Sequence, residues 1–208
     1  MAEQTVYVVD DDADVRDSLQ WLLESVGLKV ISFATAQAFL DGLPPHSSGC
    51  VVMDVRMPGL SGISAQKKMT ASRIDLPLIM ISAHGNVDMA VTAMTQGALT
   101  FIEKPFNDQL LLDHVQHALE QDRSKRASQQ QLLALEQQYA RLTKRERQVF
   151  EQVAQGLANQ EIADLLGINR KTVEGHRANL MAKMTAHSLP ELIQMALSLG
   201  VIASFTRH

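Results

Sequence analysis

The 208-residue chain has a single cysteine, Cys50. One cysteine cannot close an intramolecular disulfide, and it cannot build a Cys-rich structural zinc site. Long apolar runs are missing too. The longest, such as Leu76–Ile81, fall far short of the roughly 18–20 residues a membrane span needs. The first residues, Met1-Ala2-Glu3-Gln4, lack the basic and then apolar pattern of a secretory leader. There is no Gly-x-x-x-x-Gly-Lys loop to cradle nucleotide phosphates, so ATP is not expected as a direct substrate. Gly59-Leu60-Ser61-Gly62 misses the Gly-x-Ser-x-Gly spacing of a nucleophile elbow. These absences point to a soluble protein of a reducing compartment, most simply the cytoplasm, with no membrane partner.

What is present divides the chain. Hydrophobic residues make up 46%, too many for a disordered chain. At about 100–200 residues per domain, the length allows one large domain or two small ones. Net charge is −4, but it is unevenly spread. Residues 1–122 carry 16 Asp and Glu against 7 Lys and Arg, a charge of −9. Residues 123–208 carry 7 acids against 12 bases, a charge of +5. Such asymmetry suggests two modules with different partners. The basic half suits a polyanion, because Lys and Arg displace counterions condensed on nucleic-acid phosphates.

The acidic half alternates β-rich runs with amphipathic stretches. The runs are Thr5–Val9, Leu28–Phe33, Cys50–Met53, Leu76–Ile81 and Ala98–Ile102. Between the first two, Val15, Leu19, Leu22, Leu23 and Val26 have helical spacing, and Gly27 ends that helix. Five rounds of strand and helix predict a five-stranded, doubly wound parallel sheet, an α/β fold. Functional residues in such sheets sit at the carboxyl ends of the strands. From about Asn107 to Leu142 no strong helix breaker occurs, which predicts a long helix running out of the first domain, with 123–142 as linker. Leu132, Leu135, Tyr139 and Leu142 have heptad spacing within it.

Residues 143–208 read as all-α. The expected helices are Lys144–Gln155, Asn159–Leu166, Arg170–Met184 and Ser188–Leu199. Thr143 and Glu146 have capping-box spacing, and Asn169 is a good N-cap. Helix, Gly167-Ile168-Asn169 and helix is the sequence form of a helix-turn-helix. Val173, Leu180, Ile162 and Leu165 are expected in its core.

The acids form a pattern. Asp10 and Asp11 close the first strand, Asp54 closes the third, Ser82 ends the fourth, and Lys104 closes the fifth before Pro105. If these strands are parallel neighbours, their side chains converge at one sheet edge. Carboxylates sharing a pocket resist ionising together. A hard dication with oxygen ligands, best matched by Mg²⁺, resolves the repulsion. A carboxylate there can attack phosphorus, with Lys104 and Mg²⁺ neutralising the phosphoryl oxygens. Asp at a strand end also serves ordinary turn chemistry, so the set of positions carries the reading rather than any single acid.

Val8–Asp12, Asp54–Gly62, Ser82-Ala83-His84-Gly85 and Phe101–Phe106 together resemble the receiver domain of two-component response regulators over residues 1–122. Leu142–Glu146, Gln160–Ala163 and Lys171–Arg177 resemble the LuxR-type helix-turn-helix over 143–205. The combination resembles the FixJ/StyR subgroup of the NarL family. The resemblance implies a transcriptional regulator, not an enzyme, although the receiver would catalyse its own phosphoryl transfer from a phosphohistidine. Asp54 would be the phosphoacceptor. Asp11 would ligate Mg²⁺ directly, Asp10 mainly through water, with Asp54 and the Arg56 backbone carbonyl completing the protein ligands. Lys104 would pair with the phosphoryl group, and its bond to Pro105 would be cis. Ser82 and Phe101 would form the switch pair, with Phe101 acting by packing alone because it lacks a phenolic hydroxyl. Arg56 and His84 would tune phosphoryl lifetime. Asp12 would be a solvent-facing neighbour.

The resemblance also implies dimerisation on phosphorylation, through Val91, Thr95 and Glu103, although Val91 equally suits a core. Two basic domains would then meet a two-fold symmetric promoter on duplex DNA. Arg170, Lys171, Arg177 and Lys183 would contact phosphates, with Thr172 beside them. Glu174, Gly175 and Ala178 would face base edges, Glu174 accepting from cytosine N4. His176 either reaches phosphate or packs. A cognate sensor histidine kinase is implied, and RNA polymerase is a further candidate partner. Two other classes remain open at this point. Asp10-x-Asp12 superficially matches a phosphohydrolase, but Asp14 stands where that pattern needs Thr or Val. The helical half could instead bind protein or RNA as an adaptor. His114 and His117 are three apart on a helix and lack a third metal ligand.

Overall fold

The β-rich runs form β1 (Thr5–Val9), β2 (Lys29–Phe33), β3 (Gly49–Asp54), β4 (Leu78–Ser82) and β5 (Thr100–Glu103). A computed structural model describes residues 4–83 and 87–202 of the chain. His84, expected to tune phosphoryl lifetime, lies outside the described residues, as do Gly85 and Asn86 of the same motif. All strands pair in parallel in the order β2-β1-β3-β4-β5. The doubly wound sheet expected from the sequence is therefore found, with strand limits moved by one or two residues.

Helices α1 (Ala13–Ser25), α2 (Ala36–Gly42), α3 (Gly62–Ala71), α4 (Val87–Thr95) and α5 (Asp108–Ala140) alternate with the strands. Each strand presents side chains to both faces in turn, so one strand feeds two cores. Val6, Val8, Cys50, Val52, Ile79 and Ile81 pack with Leu19 and Leu23 of α1 and Leu111 and Val115 of α5. Tyr7, Val9, Val51, Met53 and Met80 pack with Phe39 of α2, Ala65 and Met69 of α3, and Ala93 of α4. Parallel strands covered on both faces need near-continuous apolar sequence, which explains runs such as Cys50–Met53. Burying one such side chain fully is worth roughly 1.5–3 kcal/mol. Burial also pushes the Cys50 thiol up to about 12, with the charge of Asp122 adding to it, so this cysteine is inert at neutral pH.

The chain divides into two compact units, Met1–Arg126 and Ala127–His208. The division falls inside the expected linker. The C-terminal unit contains α6 (Lys144–Ala154), α7 (Asn159–Leu166), α8 (Arg170–Met184) and α9 (Leu189–Ser198). Its core holds Val149, Phe150, Ile162, Val173, Leu180, Met184 and Leu192. The heptad seam splits: Leu132 is exposed, whereas Leu135 and Tyr139 near the end of α5, and Leu142 just beyond it, pack into this core, with the Tyr139 and Phe150 ring centroids 5.4 Å apart.

Leu165 corrects the expected core. It is 61% exposed, because α7 turns Ile162, Ala163 and Leu166 inward and leaves Leu165 on the flank. At 100° per residue, Leu165 points away from the middle of that stripe.

Candidate functional site

Strand register brings the acids together. Val9 pairs with Met53 across β1 and β3, so Asp10 and Asp54, the next residues, stand side by side. Ile81 of β4 pairs with Asp54, and Glu103 of β5 pairs with Ser82, which brings Lys104 to the same edge. The Lys104 N–H donates to the Ser82 carbonyl at 2.8 Å, and the Lys104–Pro105 bond is cis. Lys104 Nζ then bridges Asp10 Oδ2 at 2.7 Å and Asp54 Oδ1 at 3.0 Å. Both acids are buried.

Their remaining oxygens are held by backbone. Asp54 Oδ2 accepts the Arg56 N–H at 2.6 Å, and Asp10 Oδ1 accepts the Asp12 N–H at 3.0 Å. Burial pushes the Asp54 carboxyl above the ordinary carboxylate value. Lys104 and the Arg56 N–H pull it down, the Asp10 charge pushes it up, and the upward causes win. Lys104 is held above its ordinary value: burial opposes its charge, but the two carboxylates outweigh burial. The trio carries a net −1, concentrated on hard oxygen donors. Gly62 completes the floor, since a Cβ there would lie 2.3 Å from the Asp54 carbonyl oxygen. Only glycine lets α3 begin so close to the strand.

Asp11 departs from expectation. It is exposed, whereas Asp10 points inward, because successive residues leaving a strand face opposite ways. Three carboxylates therefore do not converge, and among the described residues no three of His, Cys, Asp and Glu group closely enough to hold a metal. Two buried carboxylates and an adjacent exposed third do suit Mg²⁺, which binds through one or two carboxylates and keeps several waters. Arg56 is exposed, and its N–H donates to Asp54 Oδ2. Asp12 does more than face solvent: its side chain caps α1 by accepting the Asp14 N–H. Asp before a helical run is the sequence signal for such a cap.

Ser82 is buried at the end of β4. Phe101 is half-buried against the core beneath α2, α3 and α4. Val91 is 57% exposed, so it belongs to the surface rather than the core. Thr95 and Glu103 are exposed as well. His114 is half-buried and His117 exposed on α5.

The helix-turn-helix is present with the expected limits of α7 and α8. Asn169 Oδ1 accepts the Thr172 N–H at 2.7 Å and caps α8. Lys171, Thr172, Glu174, Gly175 and Ala178 are exposed, and His176 and Arg177 are half-buried. Arg170 pairs with Glu174 at 3.0 Å, and Arg177 Nη1 donates to Asn159 Oδ1 of α7 at 2.9 Å. Asn179, passed over in the sequence, is exposed on the stripe Lys171, Gly175, Asn179. Spacing by four was its available signal.

Lys183 corrects the expected phosphate contacts. Its Nζ binds Glu146 Oε2 at 2.6 Å, and Glu146 is buried. Glu146 also closes the capping box, accepting the Thr143 N–H at 2.7 Å. Burial alone would raise the Glu146 carboxyl, but Lys183 and Thr143 more than reverse that and hold it below the ordinary value. The last turn of α8 thus aims Lys183 at α6 and commits it to a partner there.

Comparison with known proteins agrees with both halves. Residues 6–116 match the response regulator receiver domain, and residues 140–196 match the bacterial regulatory proteins of the luxR family. The chain is 46% identical over 197 residues to the transcriptional regulatory protein FixJ of Bradyrhizobium diazoefficiens, covering 95% of this chain and 96% of that one. It is 43% identical to nodulation protein W of the same organism, covering 98% and 89%. Among solved structures, the response regulator StyR is similar with a TM-score of 0.85 and 42% identity, covering 94% of this chain and 98% of that one. With the ionic edge on a receiver fold and a helix-turn-helix behind it, the chain belongs to the two-component response regulators that join a receiver to a luxR-family DNA-binding domain, and it is a transcriptional regulator of the FixJ-like kind.

Proposed function

We propose that Asp54 is the phosphoacceptor, and that its modification drives this chain to pair on promoter DNA. The observation that carries this reading is Lys104 shared between Asp10 and Asp54 at the ends of parallel strands. An Asp54 carboxylate oxygen attacks the phosphorus of a phosphohistidine on a cognate sensor kinase. The P–N bond breaks, the imidazole leaves with its electron pair and takes a proton, and an acyl phosphate remains. Lys104 moves its charge from the two acids toward the new phosphoryl oxygens. Asp10, Asp11, Asp54 and the Arg56 carbonyl would hold Mg²⁺, which supplies neutralisation of phosphoryl charge when bound. The chain promotes its own labelling once and is not a turnover enzyme.

Phosphorylation adds about −1.5 to −2 charge and three acceptor oxygens. Ser82 turns its hydroxyl toward that group, and Phe101 moves into the space released. Val91, Thr95 and Glu103, all exposed around α4 and β5, form the dimer face. The working divisions are 1–122 for the receiver, 123–142 for the linker and 143–208 for the DNA-binding domain. Recognition of double-stranded promoter DNA uses Arg170, Lys171, Thr172 and Arg177 on phosphates and Glu174, Gly175 and Ala178 at base edges, with His176 beside them. RNA polymerase is the natural downstream contact, and the cytoplasm the natural compartment. Asp54→Asn tests the reading. It should abolish labelling by acetyl phosphate and the accompanying gain in DNA affinity; unaltered labelling would place the acceptor elsewhere.

A further inference from the structure

At the end of the sheet remote from Asp54, another buried carboxylate ties together three separate pieces of the N-terminal unit: Gln4, residues 46–49 and helix α5. Asp122 of α5 is 2% exposed. It continues the inward stripe Leu111, Val115, Ala118, a place where an apolar residue would be ordinary. Its Oδ2 accepts the Ser48 hydroxyl at 2.6 Å and the Gly49 N–H at 3.0 Å, with Gln4 Nε2 at 3.3 Å. Its Oδ1 accepts Arg126 Nε at 2.7 Å. Arg126 in turn donates to the carbonyls of His46 and Ser47, and His46 sits in the left-handed region at φ 61°. Gln4 ties the start of β1 to the helix through the Leu119 carbonyl at 2.7 Å and Arg123 at 2.9 Å. Lys125 pairs with Asp75 at 2.5 Å. Gly49 is forced by the same crowding: at φ 134°, a Cβ would lie 1.8 Å from the Thr5 carbonyl oxygen.

Two features give this cluster a meaning beyond packing. First, Gly49 opens β3 and Asp54 closes it, so one six-residue strand joins the clamp to the ionic edge. Second, the clamp stops where the N-terminal unit stops, at Arg126, and residues 127–134 of the same helix are all exposed. Helix α5 also begins four residues after Lys104. It is therefore held near its start by the edge that contains Asp54, and again at Asp122 by the far end of the strand that carries Asp54.

We infer that Asp122 is a positioning residue that fixes the interdomain helix to the phosphoacceptor strand, so that a change at Asp54 is delivered to the helix rather than lost in it. This rests on the phosphoacceptor reading above. A hydrogen-bonded carboxylate suits such a joint because its bonds are directional, whereas an apolar contact would let the helix slide. Arg126 extends the joint by about one turn to the loop before β3.

The test uses the full-length chain with Asp122→Asn, which keeps volume and loses charge, together with Ser48→Ala and Arg126→Lys. Three quantities are read: labelling of Asp54 by acetyl phosphate, amide exchange, and affinity for a duplex selected from random sequence by the phosphorylated protein. Labelling should stay within about twofold in all variants. Exchange should rise in Asp122→Asn for residues 119–134 and stay unchanged in β1, β3 and β4. The gain in DNA affinity on phosphorylation should fall about fivefold or more, the lower end of ordinary allosteric coupling. Arg126→Lys keeps the pair with Asp122 and should retain most of the gain. Ser48→Ala removes one bond alone and should lose part of it, which keeps the test decisive if Asp122→Asn folds poorly. Unchanged exchange and gain, or exchange rising evenly through the sheet, would overturn the inference. If wild-type Asp54 is not labelled, the phosphoacceptor reading fails, and the exchange measurement still decides whether Asp122 pins the helix.

Discussion

Glu146 and Asp54 are buried carboxylates in different units that each meet a lysine, and their carboxyls are shifted in opposite directions. Glu146 in the helical unit has Lys183 to itself at 2.6 Å and also accepts from Thr143, and its carboxyl is held below the ordinary value. Asp54 in the receiver shares Lys104 with Asp10 at 3.0 Å and 2.7 Å, and its carboxyl is pushed up. One lysine per acid makes a satisfied pair that holds α6 and α8 together. One lysine for two acids leaves a net negative site that is improved by a cation. A carboxylate–lysine pair holds two helices together in one place; in the other, burial, with the Asp10 charge adding to it, outweighs the shared lysine and leaves the Asp54 carboxyl raised.

That contrast can be broken or sharpened by experiment. The largest effect is expected from Lys104→Ala. Removing a charged donor from a transferring group costs about 100-fold or more, so labelling of Asp54 by acetyl phosphate should slow by that order, with the fold retained. Lys183→Ala should leave labelling alone. Equal labelling by both variants would erase the distinction between the pairs.

The next effect is on stability. Glu146→Gln should destabilise the helical unit by about 1–3 kcal/mol through loss of a charge-assisted bond. Amide exchange in α6 and α8 of the full chain reads this directly. The pH dependence follows from the direction of the shift. A carboxyl lowered on folding contributes its stability in full above its ordinary value of 4.5, and loses it as pH falls through the lower folded value. The wild-type helical unit should therefore weaken on acidification below about pH 4.5, and Glu146→Gln should flatten that limb. An equally steep limb in both proteins would mean that Glu146 carries no such share.

The smallest effects are on DNA. Arg177→Ala should weaken binding to all sequences and reduce the salt slope by about one contact. Glu174→Ala releases Arg170 and should alter sequence preference instead. Titrations against a duplex panel at two salt concentrations separate the two, and the reverse pattern would mean the faces of α8 are exchanged.

Most of the fold was legible because local signals agree with it. Buried parallel strands demand apolar runs, and Val6–Val9, Cys50–Met53 and Leu78–Ile81 supply them. Thr143, Asn169 and Gly167 mark helix ends by short-range chemistry. The ionic edge was legible because strand ends in a parallel sheet share one side. What escaped depends on distance along the chain. Lys183 and Glu146 are 37 residues apart, and no local pattern announces their pairing. Leu165 has the right spacing from Ile162 for burial, yet the short α7 buries a narrower stripe. Asp122 left a signal that is visible in retrospect: an acid on the inward stripe of a helix needs a buried partner.

The central claim is that Asp54 alone takes the phosphoryl group, and direct mapping tests it best. The full-length chain is labelled with acetyl phosphate and Mg²⁺, the acyl phosphate is trapped by borohydride reduction, and peptides are sequenced by mass spectrometry. Modification confined to Asp54 is the predicted result. Modification at Asp10, Asp11 or a residue away from the sheet edge would contradict it.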